Sequence, residues 1–255
     1  MNDEFLDKLE ELLSKKKVEP YKKKFSDKWF EAYKSELEQA KEIFIYLHFL
    51  EIFLRNKIND EFSIEFGNWL FDQNRGLSNI NGSELSFALE TFDPTINSAS
   101  DFANLTKSST NTGSNPLLLD NPENRTLKLN FKEQEKIDKA IVELTQTKKE
   151  INSDNIVSSL SFGFWTNLFH KSYNYPVWDR SKMMERVFPF LKPHQRNLKQ
   201  IQKEMEAIRK LRNRVFHFEN LQSWNFAEIK KLVDKFIYGV GGFDMIGIMQ
   251  TNHKF

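Results

Sequence analysis

The stretch from Ser35 to Phe62, SELEQAKEIFIYLHFLEIFLRNKINDEF, contains neither glycine nor proline. Within it Leu37, Ala40, Phe44, Leu47, Glu51, Leu54 and Ile58 recur at intervals of three and four. That spacing puts them on one stripe of an α-helix, whereas a half-buried strand would alternate. At 1.5 Å per residue such a helix is about 40 Å long, the length of a main bundle element. The same period continues outward along the chain. Phe5, Leu6, Leu9, Leu12 and Leu13 mark a helix within residues 2–14, and a lysine-rich connector follows from Lys15 to Lys28. Further helical blocks run from Phe131 to Lys149 and from Ser153 through Phe169. Leu198, Ile201, Met205, Ile208, Leu211 and Val215 make a clean amphipathic helix, and a last helix spans about Phe226 to Tyr238 with Gly239 as its stop. Only nine Gly and seven Pro interrupt 255 residues, so an all-α fold is expected.

A single domain over residues 1–255 is expected. It would hold an N-terminal helix and basic connector in 1–30, a polar insertion at 93–126 rich in Asn, Ser, Thr and Pro, and motif-bearing helices over 153–238. The tail from Gly241 to Phe255 gives no assignable pattern.

The chain has no cysteine, which excludes disulfides, thiolate metal sites and cysteine nucleophiles. Its five His stand at 48, 170, 194, 217 and 253 without paired ligand spacing, so neither a metal site nor a cofactor is expected. The run Ile43 to Leu54 is too short and too polar to span a bilayer, and no apolar stretch follows the acidic first residues. A cytoplasmic protein without a membrane partner is the expectation.

Net charge is 37 − 36 = +1, which by itself names no partner. The average conceals a segment, however. Residues 180–217 carry 11 Lys and Arg against Glu185, Glu204 and Glu206, a local balance of 11 − 3 = +8. Six of the nine arginines fall there: Arg180, Arg186, Arg196, Arg209, Arg212 and Arg214. Concentrated guanidinium groups are the footprint of a polyanion binder, and the plainer alternative is a helix face balanced by acids elsewhere in the fold. The sharpest feature inside it is Leu211-Arg212-Asn213-Arg214-Val215-Phe216-His217-Phe218-Glu219. Asn213 and His217 stand four apart on one helical face, while Arg212 and His217 differ by about 140°. An isolated His217 would read as a residue closing a helix C-terminus. Flanked by Arg212, Asn213 and Arg214 it reads as part of a site.

This block resembles the Arg-Asn-Arg-x-x-His-x-Glu signature of the Abi-like abortive-infection proteins (the AbiD/AbiF group) of the HEPN superfamily. Two further blocks are similar to that family: Ser161-Phe162-Gly163-Phe164-Trp165-Thr166-Asn167-Leu168-Phe169, and Leu50-Glu51-Ile52-Phe53-Leu54-Arg55-Asn56. One departure is visible, since Phe218 stands where a second His is common and no Pro follows Glu219. The resemblance implies a HEPN-like helical bundle with additional N-terminal helices and the polar insertion. It also implies a metal-independent endoribonuclease acting as a phage-defence or toxin effector, held in check by an antitoxin or an inhibitory RNA or protein.

Metal-free RNA cleavage needs a base for the 2′-OH proton, an acid for the leaving 5′-oxygen and cations for the phosphate. One histidine cannot be both base and acid at once, and a C2 homodimer would bring two copies of His217 and Arg212 into a composite site. The products would be 2′,3′-cyclic phosphate and 5′-OH ends. In this reading His217 is the acid/base, Arg212 stabilises the phosphoryl oxygens and Asn213 orients His217 or the phosphate. Arg214, Arg209, Lys210 and Arg55 contact RNA, with Glu51 and Glu219 in support. For Glu51 and Arg55, four apart on one helix, an intrahelical ion pair is the plainer expectation. For the Phe-Gly-x-Trp block, and for Trp29, Trp69 and Trp178, the expectation is core packing rather than base stacking. The rival reading is a non-catalytic RNA-binding or dimeric scaffold module. A DNA-binding regulator ranks last, because no helix-turn-helix is recognisable.

Overall fold

Every long regular element of the computed structural model is an α-helix, and no strand occurs among the residues it describes, 3–71 and 127–251. The expected all-α class is therefore observed. The polar segment 93–126 lies outside the described residues. In chain order the α-helices are α1 (Asp3–Leu13), α2 (Lys15–Phe25), α3 (Trp29–Phe66), α4 (Phe131–Gln146), α5 (Ser153–Ser159), α6 (Phe162–Asn167), α7 (Met183–Val187), α8 (Leu198–Phe216) and α9 (Phe226–Thr251). No helix among the described residues is long and apolar enough to cross a membrane.

Residues 1–52 and 203–255 form one compact unit, and residues 53–202 form a second. In the first unit α1 and α2 close over the start of α3. Val18, Tyr21, Trp29 and Tyr33 form a buried cluster, with Leu6, Leu9, Leu13 and Phe30 packed against it. The rings of Tyr21 and Tyr33 meet edge to face at 5.2 Å. Glu36 is buried beneath them and is satisfied twice. It accepts from the Tyr21 hydroxyl at 2.6 Å and from the backbone N–H of Leu221 at 2.8 Å. Burial and the facing Glu36 carboxylate push the Tyr21 hydroxyl far above its ordinary pKa, so it stays a donor at any working pH.

The second unit is built on aromatic rings. Phe162, Phe164, Trp165 and Phe169 are buried, as the core reading of their block requires, and so are Trp69 and Trp178. Trp69 packs edge-on to Trp165 and to Phe62, and Phe169 stacks on Trp178 at 4.5 Å. Removing one such ring to alanine costs about 3–5 kcal/mol, so this block is a structural centre rather than a stacking platform. Glu133 lies among these groups and accepts hydrogen bonds from Asn167 and from the Tyr173 hydroxyl.

Three expectations are corrected. Residues 15–25 are not a connector but the helix α2, even though Pro20 sits inside it and lacks an N–H to donate. Val18 and Tyr21 fall on one face, and their burial outweighs the local cost of the proline. The stripe read along α3 is buried only in part. Leu47, Leu54 and Ile58 are enclosed, whereas Leu37 and Phe44 are each 43% exposed. In that half of α3 the enclosed positions are Tyr33, Glu36, Ile43 and Tyr46, one position away from those chosen by hydropathy alone. Finally, α9 does not stop at Gly239. It runs to Thr251 with its break at Gly242, where φ is 75°, a backbone region that glycine enters without steric cost.

Candidate functional site

The motif occupies the C-terminal turns of α8, in the first unit. Leu211 and Val215 are buried and fix the helix against that unit, which leaves the residues between them facing outward. Arg212 reaches Glu51 of α3, donating from Nε and Nη2 to the single oxygen Oε2 at 3.3 and 3.2 Å. The guanidinium lies 4.0 Å over the ring of Phe216, one turn later on the same helix. Phe216 in turn stacks on Phe44 of α3 at 4.7 Å. Arg212 is thus oriented along one edge by a carboxylate and along its flat face by an aromatic ring, a division of edge and face that the planar guanidinium has and the compact ammonium of lysine lacks. Its Nη1 edge has no hydrogen-bond partner among the described residues.

His217 follows the last residue of α8. Its backbone N–H donates to the Asn213 carbonyl at 2.9 Å, and both side chains are exposed. Neither side chain has a hydrogen-bond partner among the described residues. A histidine placed only to cap the helix would aim its ring at a terminal carbonyl; this imidazole is free to meet a ligand. The chain then turns sharply at Phe218, whose carbonyl accepts from Lys17 Nζ of α2 at 2.7 Å.

The remaining residues assigned to RNA are tied down within the chain. Arg209 and Lys210 both pair with Glu206. Arg214 donates from Nη1 to the Asn220 carbonyl at 3.0 Å and faces Glu219 at 3.8 Å, bracing the turn. Beyond the motif, Arg186 pairs with Glu61 and Glu65, and Arg196 with Glu185. Five of the six clustered arginines therefore have acidic partners; Glu185 and Glu206 are already counted in the local balance, and the acids from outside the segment, Glu51, Glu61, Glu65 and Glu219, offset about half of the +8. The expected Glu51–Arg55 ion pair does not form. Glu51 takes Arg212 instead, and Arg55, in the second unit, donates to Asn56 Oδ1 at 3.3 Å. The spacing on α3 thus pointed to the wrong partner for Glu51.

The lysines read as a basic connector lie on the helix α2. Lys16 and Lys23 point away from the buried Val18–Tyr21 face and are exposed, and with Lys15 and Lys24 they have no ion-pair partner among the described residues. Their signal was present in the run KKKVEPYKKKF, in which apolar residues at 18, 21 and 25 separate a helical face from its lysines. Two cavities open in the first unit. One of about 550 Å³ is lined by Glu10, Lys22, Asp27 and Trp29, and one of about 230 Å³ by Lys24, Glu36, Gln39 and Trp224. Neither is lined by Arg212, Asn213 or His217.

Set against protein-family models, curated proteins and solved structures, the chain matches none of them.

Proposed function

We propose that this chain is a metal-independent endoribonuclease of the Abi-like HEPN type, a phage-defence or toxin effector that cleaves RNA at His217 and Arg212. One observation carries the reading: an unpartnered, exposed His217 at the end of the helix on which Glu51 and Phe216 hold Arg212 in a fixed orientation. An oriented arginine and, five residues later in the chain, a free imidazole supply the cation and the acid/base that phosphodiester cleavage without a metal requires.

In the mechanism proposed, the open Nη1 edge of Arg212 meets the phosphoryl oxygens as negative charge develops on them. One His217 accepts the 2′-OH proton while the 2′-oxygen attacks phosphorus. The His217 of a second copy delivers a proton to the departing 5′-oxygen, leaving a 2′,3′-cyclic phosphate and a 5′-OH. Asn213, exposed one turn before His217, orients the phosphate. A homodimer is part of this proposal, and the half-exposed Leu37, Phe44 and Ile45 of α3 supply apolar surface for it. Phe44 touches Phe216, so that surface borders the arginine stack.

The test is incubation with RNA in EDTA, beside His217→Ala and Arg212→Ala. Cleavage that survives the chelator and drops at least about a hundred-fold in both variants, with 5′-OH ends, is the expected result. Equal cleavage by all three proteins would falsify the catalytic assignment. RNA binding without cleavage would return the protein to the scaffold reading.

A further inference from the structure

The end of α8 has an unusual occupant. The Glu219 N–H bonds the Arg214 carbonyl at 2.9 Å and the Phe218 N–H bonds that of Val215 at 3.2 Å. This is the double closure of a Schellman turn, with Phe218 at the position that must turn left-handed. Its φ is 53°. Glycine takes that conformation freely, and an L side chain adopts it at a steric cost.

Burial does not repay the cost, because Phe218 is 72% exposed. Its ring makes no aromatic or cation contact with any described residue. The end of α4 makes the same turn, with Lys149 N–H on Leu144 O, Lys148 N–H on Thr145 O, and Lys148 at φ 54°. There a solvated lysine fills the position, the ordinary choice for a residue surrounded by water. At Phe218 a large apolar ring is held in water instead, on a backbone that resists it. Lys17 fixes the peptide that follows by its bond to the Phe218 carbonyl. Phe218 directly follows the exposed His217, and α2 brings the Lys17 ammonium to the same turn.

Resting on the ribonuclease reading, we propose that Phe218 is the base-stacking residue of the site: its ring receives the nucleobase next to the phosphate that His217 attends. Every base offers a π-face, so the contact holds single-stranded RNA with little regard to sequence. The strained backbone keeps the ring outside the core, where a base can reach it. An anionic membrane is a poor occupant, because the apolar face of α2 is buried within the protein and has nothing to insert.

Glycine at this position separates function from fold, since it suits the turn better than phenylalanine does. The full-length protein is titrated, by fluorescence anisotropy, with a short single-stranded RNA whose 2′-O-methyl groups block cleavage. Phe218→Gly is expected to melt roughly 2 °C higher and to bind on the order of ten-fold more weakly. Phe218→Trp should bind at least as tightly as wild type. Lys148→Gly, the same backbone relief at the other turn, should raise the melting temperature and leave RNA affinity unchanged. If Phe218→Gly binds RNA as wild type does while wild type cleaves the unmodified strand, the stacking role is wrong and the ribonuclease reading survives. If wild type neither binds nor cleaves, both fall together. A Phe218→Gly protein with unchanged RNA affinity but altered sedimentation would assign the ring to a contact with a second copy and overturn the proposal.

Discussion

Arg186 and Arg212 each reach back to carboxylates of α3, one in each compact unit, and they are held in different ways. Arg186 spends all three of its nitrogens. Nε donates to Glu61 Oε2 at 2.6 Å, Nη1 to Glu65 Oε2 at 3.0 Å and Nη2 to the Glu61 carbonyl at 3.3 Å. The acids are shared further, Glu61 with Lys57 and Glu65 with the Ser181 hydroxyl. Arg212 has one carboxylate oxygen, two longer bonds, an aromatic ring against its face and an open edge. A guanidinium bonded at all three nitrogens is a clasp, because an incoming phosphate would have to displace what already binds it. One with donors to spare can accept an anion and keep its orientation. Charge count alone treats the two arginines as equals; the partners separate them.

The largest effects should fall on opposite properties. Arg212→Ala is expected to reduce cleavage by two orders of magnitude or more while melting close to wild type. Arg186→Ala should leave cleavage per folded molecule intact and cost about 2–3 kcal/mol of stability, because it strands two nearly buried carboxylates. Denaturant titration measures the second and single-turnover RNA cleavage the first. Loss of cleavage in a folded Arg186→Ala protein would break the distinction.

The Arg186 clasp should also be visible in pH. Burial pushes the Glu61 carboxyl up, but hydrogen bonds and charge from Lys57 and Arg186 outweigh it and hold the carboxyl below its ordinary value. A carboxyl that is more acidic when folded contributes stability above its unfolded pKa of about 4.3, and loses that contribution as pH falls through the folded value. Melting temperature should therefore drop between about pH 5 and pH 3. Glu61→Gln, less stable at neutral pH, should lose less across the same interval. An unchanged pH slope in that variant would mean the clasp contributes nothing through Glu61.

Much of the helical order was readable because it depends on local period. The spacing from Ile201 to Val215 matches the buried face of α8, with Leu198 only partly covered, and the aromatic block at 162–169 is core. What could not be read depends on partners far along the chain. The acids that neutralise Arg186 and Arg212 lie 121 to 161 positions away, and no helical period announces them. Nearby, Arg55 offered Glu51 a plausible partner and concealed the real one. The lysines and Pro20 made α2 look like a connector, because its two buried residues count for little until Trp29 and Tyr33 are seen against them. Phe218 was noticed as a missing histidine, and its left-handed backbone was invisible without a glycine to signal the turn.

The smallest expected effect on the fold, and the finest test of the contrast, is Glu51→Gln. The Arg212–Glu51 pair is partly solvated, with side chains 23% and 17% exposed, so loss of its charge should cost less than about 1 kcal/mol. The glutamine keeps an acceptor for Nε or Nη2 and loses the charge that holds both. Arg212 would then rest on Phe216 alone and could swing about that ring. If Glu51 positions Arg212, kcat for RNA cleavage should fall on the order of ten-fold while RNA affinity scarcely changes, because a misdirected cation still attracts a polyanion but no longer meets the phosphoryl oxygens. The opposite sign is equally readable. Faster cleavage by Glu51→Gln would mean that the carboxylate competes with phosphate for the guanidinium, which would make Arg212 a clasp like Arg186 that substrate must open.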